Sequence, residues 1–568
     1  MNSEEIAQDG AAPAFDRTDW LLALLWTLLA LGFTANSIHW HTAPAEDALM
    51  LLRYANHLAA GAGITWNIGD HPVEGATDFL YMVVIAACIR LFHAGAIASA
   101  RIFLLLCHSA SVLLLFLAAR KLFNAGRALA SALAIYLMLG PGAIQAGNAF
   151  GVPFYALAAV GSWWFACAMV SQAVTTPRIW SFALLALLTG LIRPDGVLLA
   201  VFMTFTLFFA LITSSRRREA YRMFLVVVAV FAVLGGGYFL WRLRYFGYLL
   251  PNPFYKKGGG HLYPDSLHRS TFNMFKMLFP VVPLAALALM VRDTRRRALF
   301  VFSTPVLFSL IWVLLTNENN SAMRFQYAAV PLTLMSVPYL TDGLRRRIPE
   351  AFRLHLGELR EVTLAAAIAF VLGGMYWKML LMLPMIDNGS GAYNIAIGLH
   401  AWRDRHYTMV VTEAGIIPYF SDWRAIDAWG LNDSNIVHDK RGLTPEYLDA
   451  NHPAIIMFHL ADLYGRDGYQ RIWQGAPPLH QDPAHFMEVL AHYAATHNYE
   501  LAARWGNDEC NVHVWYVRRD LPEADAMIGL IRRSPHFFLD TQKLVSDFRN
   551  DPPPQLCKDP GFSIAPGS

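Results

Sequence analysis

The sequence WLLALLWTLLALGFTANSI occupies residues 20–38, and EDALMLLRYANHL follows at residues 46–58 after a short polar link. The first segment is long and apolar enough to cross a bilayer as a helix, so Glu46 and Asp47 fall at the membrane boundary. Ionisable residues at such a position usually have a function, although carboxylates also favour the start of any helix. The apolar spacing of the second segment predicts a short amphipathic helix along the membrane surface.

The composition places the chain among polytopic membrane proteins. Of its 568 residues, 55% are hydrophobic and only 15% are charged, which is more apolar surface than a soluble protein can bury. Membrane lipids are therefore expected partners. The formal net charge of +3 is too small to indicate nucleic acid as a partner, and the basic residues cluster in short loops as a topology signal would.

Arginine clusters at 216–222, 292–297 and 345–347 separate apolar runs and predict the cytoplasmic face. Twelve apolar runs can be counted, but an even number would place the acidic loop and the C-terminal part on opposite faces. The run 79–93 is short and contains Arg90, so we expect it not to cross; alternatively, two neighbouring runs form one broken helix. The predicted fold is a polytopic α-helical membrane protein with about 11 transmembrane helices.

The pattern changes after residue 384. Residues 1–384 form the expected transmembrane domain, with a first outer loop at 39–78, and residues 385–568 form an expected mixed α/β extracytoplasmic domain. Thr444 followed by Pro445 predicts a helix start. The predicted strands are Tyr407–Thr412, Ala454–His459 and Val512–Val517.

Cysteines and histidines give weaker signals. Cys510 and Cys557 would pair in an oxidising compartment or remain as thiols, and the spacing of the five cysteines forms no CxxC motif. Histidines in the C-terminal domain are interpreted as surface residues rather than metal ligands; they are His480, His485, His492 and His497.

Polar motifs recur in a fixed order along the chain. They are RYAN at 53–56, VEGATDFL at 73–80, LIRPDG at 191–196, RYFGYLLPNPFYK at 244–256, RFQY at 324–327, AGIIPYFS at 414–421 and IDAWGL at 426–431. This series resembles membrane glycosyltransferases of the GT-C type, most closely the mycobacterial terminal β-(1→2) arabinofuranosyltransferase-like family. The sequence departs from that family at GVPF, residues 151–154, where many relatives carry a carboxylate.

The resemblance implies an inverting glycosyltransferase that moves a sugar, arabinofuranose in the named relatives, from a polyprenyl-phosphate donor to an envelope glycan, lipid or protein. The sequence contains no P-loop and no dinucleotide fingerprint after a strand. This is consistent with a transfer reaction that is driven by the donor and needs no nucleotide site. Asp47 is the expected base, and Glu46 or Glu74 would orient the acceptor. Cations expected to meet the donor phosphate or substrate are Arg53, Arg193, Lys256 and Arg324.

Each assignment has a structural alternative. Arg193 could pair with Asp195 at a helix end, Lys256 could anchor the chain at the interface, and Arg324 could only flank its helix. No ligand cluster requires a divalent metal, although the acidic pair could bind one. The whole chain could instead be a transporter or flippase of a lipid-linked sugar, or a non-catalytic envelope scaffold. The expected location is the bacterial inner membrane, multi-pass, with the active site outside the cytoplasm.

Overall fold

The computed structural model describes residues 15–257, 262–292, 294–316, 320–345, 390–459, 483–506 and 512–535. Several sequence-based expectations lie outside these ranges. They are the apolar run 362–384, the domain boundary at 384, and the residues His480, Cys510 and Cys557.

Helices make up most of the chain before residue 346. A π-helical turn joins α10 to α11, so that these two form one long segment. The helices are α1 (Arg17–Asn36), α2 (Glu46–Ala59), α3 (Phe79–Phe92), α4 (Ala96–Lys121), α5 (Arg127–Met138), α6 (Gly142–Gly147), α7 (Val152–Ser171), α8 (Thr176–Ile192), α9 (Asp195–Thr213), α10 (Arg217–Val230), α11 (Gly236–Phe246), α12 (Asn252–Lys257), α13 (Pro264–Leu278), α14 (Val282–Met290), α15 (Arg295–Leu310) and α16 (Ala329–Arg345).

Among the residues described, seven helical segments are long and apolar enough to cross a membrane, so the chain is a multi-pass membrane protein. Helices α13 and α14 meet at a 92° bend and would add an eighth segment if they cross as one broken span. Helix α3 has only 14 residues, and the expectation that the run 79–93 does not cross stays a prediction. The count of about 11 stays a prediction. The seven segments are Arg17–Asn36, Ala96–Lys121, Arg127–Gly147, Val152–Ser171, Asp195–Thr213, Arg217–Phe246 and Arg295–Leu314.

Ion pairs gather several helix ends at the side of the membrane domain where α1 begins. The buried Arg120 at the end of α4 donates to Asp19 of α1 at 2.7 Å, and Arg127 at the start of α5 reaches the same carboxylate at 3.1 Å. Arg297 of the second arginine cluster pairs with Asp342, close to the third cluster, at 2.8 Å. Helix α1 runs from this side of the membrane domain to the loop 39–78. The acidic pair Glu46 and Asp47 therefore lies beyond the C-terminal end of α1.

The C-terminal domain is a five-stranded sheet with the order β2-β1-β3-β5-β4. Strand β1 runs parallel to β2 and β3, whereas β5 runs antiparallel to β3 and β4. The strands are β1 (Thr408–Val411), β2 (Arg424–Asp427), β3 (Ile455–His459), β4 (Tyr499–Gly506) and β5 (Val512–Arg518). The helices are α17 (Ser390–Leu399), α18 (Ile416–Ser421), α19 (Ser434–His438), α20 (Pro445–Asn451), α21 (Pro483–Thr496) and α22 (Ala524–Arg532).

Alternate residues of the strands bury opposite faces of the sheet, as the two-residue period of a strand requires. Val410 and Ile456 pack on the face that α21 covers, together with Phe486. Met409 and Met457 face the larger core that continues into the membrane domain. Both faces are therefore buried, which explains why these strands read as continuous apolar runs.

The three strands predicted from sequence correspond to β1, β3 and β5 and are confirmed. The predicted helix start is also confirmed, because the Thr444 hydroxyl accepts a hydrogen bond from the Tyr447 amide at 3.3 Å at the beginning of α20. The amphipathic helix expected at 46–58 is α2, and Leu49 and Leu52 on its apolar face are fully buried.

Arg53 joins the loop 39–78 to the C-terminal domain. Its buried guanidinium donates to the Trp66 carbonyl at 2.9 Å and to the Asn67 side chain at 3.3 Å within the loop. In the C-terminal domain it donates to the carbonyls of Pro418 and Trp423, the latter at 2.7 Å. A charged donor that satisfies buried oxygens of two separate segments holds those segments in a fixed relative position.

We expect Arg53→Ala to destabilise the docking of the C-terminal domain strongly, because it leaves several buried acceptors without a donor, at about 1–3 kcal/mol each. The control is Arg424→Ala, which removes a pair with Asp70 that also links the loop to the domain but leaves both side chains 36% exposed. An exposed pair contributes about 0–1 kcal/mol. The apparent Tm of the purified protein in detergent should fall by several degrees more for Arg53→Ala; equal shifts would contradict the assignment.

Candidate functional site

Glu46 is the first residue of α2, and its carboxylate faces the C-terminal domain. It accepts hydrogen bonds from the backbone amides of Gly415 and Ile416, the latter at 2.9 Å. A Cβ at Gly415 would overlap the Glu46 carbonyl oxygen, so this close approach needs glycine. Burial and the nearby Glu413 carboxylate raise the pKa of Glu46, and the two amides oppose that rise. Glu46 thus fastens α2 to the loop between β1 and α18.

Asp47 turns instead towards the membrane domain, where its carboxylate accepts a hydrogen bond from Arg324 at 2.5 Å. The Asp47 side chain is 34% exposed and that of Arg324 only 9%. The guanidinium lies 4.1 Å from the ring centre of Phe150 and 5.0 Å from that of Phe325, which fixes its plane. Asp47 is therefore the accessible member of a rigid ion pair, and Arg324 does more than flank its own helix.

Arg193 lies next to this pair. It donates to Asp195 at 2.9 Å, as the structural alternative from sequence expected, and also to Asp78 at 3.3 Å. Its guanidinium lies 5.7 Å from the ring centre of Phe325, the ring that Arg324 contacts from 5.0 Å. The ring of Phe325 thus contacts both the buried Arg324 and the largely buried Arg193.

Asp78 was not among the residues predicted for the site. Burial raises its pKa, while Arg193 and, at longer range, Arg324 favour its charged form. A Cβ at Gly151 would approach the Asp78 carboxylate to 2.9 Å, so this carboxylate packs against the start of the GVPF segment. The signal available in the sequence was its position in the motif VEGATDFL, directly before helix α3.

The structure thus brings together Asp47, Arg324, Arg193 and Asp78. Glu46 lies next to this group because it precedes Asp47 on α2. Glu74 does not join this group. Its carboxylate accepts two hydrogen bonds from the guanidinium of Arg242 on α11, one of them at 2.7 Å. Arg242 also donates to the Leu249 carbonyl at 2.7 Å, which secures the loop before α12.

Lys256 and Arg53 contact the C-terminal domain. Lys256 is buried, with its ammonium 5.8 Å from the ring centre of Trp429 and 6.0 Å from that of Phe486. The hydrogen bonds of Arg53 go to the loop segment 66–67 and to the C-terminal domain. Neither contact tests a role in binding phosphate, and those roles stay predictions.

A group of side chains able to hold a metal lies within the described part of the C-terminal domain. Glu413, His459 and His513 have potential ligand atoms within 4.8 Å of one another. None of the three was singled out from sequence, although two of the predicted strands each place a histidine near one end. Of the histidines that were weighed there, His497 is 42% exposed and lies 3.3 Å from Asp449.

Comparisons with known proteins identify the fold. Residues 389–520 match a family model described as a domain of unknown function, DUF8728. No curated protein sequence matches the chain. ArnT from Cupriavidus metallidurans, solved with undecaprenyl phosphate bound, is similar in structure with a TM-score of 0.59 and 13% identity over 88% of this chain and 98% of that chain. The apo form of ArnT gives a TM-score of 0.55 at 14% identity, with 88% and 98% of the two chains covered.

The archaeal oligosaccharyltransferase AglB from Archaeoglobus fulgidus is also similar, with a TM-score of 0.49 and 10% identity over 88% of this chain and 75% of that chain. With ArnT the chain shares its fold, a bundle of membrane helices followed by a small sheet domain. This confirms the fold class implied by the sequence at that level. The arabinofuranosyltransferase-like subfamily stays a prediction.

The two acidic residues should respond differently to substitution. Glu46→Ala removes the acceptor of the Gly415 and Ile416 amides, so we expect hydrogen exchange in the peptide 413–421 to accelerate at least about tenfold. Asp47→Asn should leave exchange in this peptide nearly unchanged, since Asp47 contacts Arg324. Exchange measured by mass spectrometry in detergent tests this, and an unchanged rate in Glu46→Ala would contradict it.

Proposed function

We propose that the protein is an inverting glycosyltransferase that moves a sugar from a polyprenyl-phosphate donor to a cell-envelope glycan, lipid or protein. The observation that carries the proposal is the accessible Asp47 carboxylate, which pairs with the buried Arg324 and lies close to Arg193. The fold supports it, because ArnT, with which the chain shares its fold, was solved with undecaprenyl phosphate bound.

Asp47 is the proposed general base. Its carboxylate would take the proton from an acceptor hydroxyl while that oxygen forms a bond to the anomeric carbon of the sugar. The bond between that carbon and the phosphate oxygen breaks in the same displacement, so the configuration inverts and polyprenyl phosphate leaves. The 34% exposure of Asp47 gives an acceptor access to it, whereas Glu46 is engaged by the Gly415 and Ile416 amides.

Arg324 and Arg193 are the proposed partners of the departing phosphate. Negative charge grows on the phosphate as the bond breaks, and fixed cations in a partly buried site stabilise it. Within the residues described, the buried Arg324 Nε has no hydrogen-bond partner, and a phosphate oxygen that enters the site beside it would accept from this N–H while Nη2 keeps its bond to Asp47. Arg324 would then separate two anions that would otherwise repel each other.

Positioning roles fit the remaining predicted residues. Arg53 and Glu46 connect the loop 39–78 and α2 to the C-terminal domain, and Glu74 with Arg242 secures the loop before α12. Lys256 stays a proposed substrate contact on the side of the C-terminal domain. We further propose that this domain and the acidic pair lie outside the cytoplasm of a bacterial inner membrane, opposite the arginine clusters. Arabinofuranose is the first sugar to test, because the sequence resemblance implies it.

Asp47→Asn should reduce sugar transfer by at least about 100-fold, since an amide cannot act as the base. The assay uses purified protein, polyprenyl-phosphate sugars including the arabinofuranose donor, and envelope extract as acceptor. Asp70→Asn is the matched control, an aspartate of the same loop that pairs with Arg424, and it should retain turnover. Full turnover in Asp47→Asn would contradict the assignment of the base, and movement of donor across liposomes without its consumption would favour a transporter.

Arg324→Ala should weaken binding of undecaprenyl phosphate about 10- to 100-fold, the loss expected for one hydrogen bond to a charged group. Arg297→Ala is the control, because Arg297 also pairs with an aspartate, Asp342 at 2.8 Å, but lies in the second arginine cluster. Binding measured by native mass spectrometry should be unchanged for that variant. Equal losses in both variants would indicate nonspecific attraction of the lipid.

A further inference from the structure

The side chains of Glu413, His459 and His513 converge at one end of the central sheet. Strands β1 and β3 run parallel, so Glu413, two residues past β1, lies beside His459, the last residue of β3. Strand β5 runs antiparallel and places His513 directly opposite His459 in the register. Strands β3 and β5 and the loop after β1 thus each bring one ligand-forming side chain to the same point.

The distances suit a single divalent cation. The Glu413 carboxylate oxygen lies 2.9 Å from His459 Nδ1 and 3.6 Å from His513 Nε2. Ligand atoms of a tetrahedral zinc ion with bonds of about 2.1 Å lie about 3.4 Å apart, so small side-chain shifts would admit the metal. The His459 amide donates to the Thr412 hydroxyl at 2.9 Å, which fixes the backbone that carries this ligand.

Burial favours a ligand-binding role over a solvated surface cluster. The side chains of Glu413, His459 and His513 are 28%, 14% and 5% exposed. Two imidazoles and one carboxylate are the ligand set of open zinc sites, which keep further positions for water or another ligand. The same set also binds Fe(II), but zinc needs no redox partner.

We propose that Glu413, His459 and His513 bind a divalent transition metal, zinc in the first instance, at the face of the C-terminal domain that meets α2. The loop that follows Glu413 carries the Gly415 and Ile416 amides, and these amides hold Glu46. The metal would therefore anchor this loop to β3 and β5 and position the start of α2. Its three ligands include neither Asp47 nor Arg324, so zinc binding can be measured whether or not the proposed transfer reaction holds.

The test is zinc content and affinity of the full chain in detergent. After chelation and dialysis against Zn²⁺, the wild type should hold one equivalent by plasma mass spectrometry, and Co²⁺ should give a visible absorption spectrum. His459→Ala and His513→Ala should each weaken zinc binding at least about tenfold. His497→Ala, a histidine variant in the same domain, should bind as the wild type does.

A second measurement does not depend on variants that could misfold. Zinc added to the metal-free wild type should slow hydrogen exchange in the peptide 413–421, because the loop becomes tied to the sheet. Wild-type protein that binds no zinc, or zinc binding that survives unchanged in His459→Ala and His513→Ala, would overturn the proposal. In that case the three side chains form a hydrogen-bonded cluster only.

Discussion

The buried guanidinium of Arg53 is the contact on which the arrangement of the two domains depends. It comes from the middle of α2 and donates both to the loop 39–78 and to the carbonyls of Pro418 and Trp423 in the C-terminal domain. A buried charge without acceptors would be costly, so these segments must assemble around it together. The start of α2, which carries the acidic pair, is thereby held between the membrane helices and the sheet domain.

This arrangement divides the acidic pair. Successive residues at the start of a helix point in different directions, so Glu46 reaches the amides of the C-terminal domain while Asp47 reaches Arg324. Glu46 thereby has a structural partner on one side, and Asp47 remains accessible on the other. The two carboxylates are neighbours in sequence but have different partners, and for this reason we propose positioning for Glu46 and proton transfer for Asp47.

The sequence was sufficient for features that depend on local patterns. Apolar runs predicted most of the long helices, the helical spacing at 46–58 predicted α2, and β-branched runs predicted β1, β3 and β5. Strand β4 was not predicted because its YELAARWG pattern also suits a helix. Side-chain partners could not be read from sequence, since Arg324 and Asp47 are 277 residues apart. The grouping of Glu413, His459 and His513 likewise depends on strand order, which no local pattern contains.

We propose that the phosphate of the lipid-linked donor binds where Asp47, Arg324 and Arg193 meet. The most direct measurement is a cryo-EM structure of the full chain with undecaprenyl phosphate. We expect a phosphate within hydrogen-bond distance of the guanidinium groups of Arg324 and Arg193, with the Asp47 carboxylate facing the position of the sugar. A phosphate bound at the arginine cluster 292–297, with the Asp47 and Arg324 pair untouched by lipid, would contradict it.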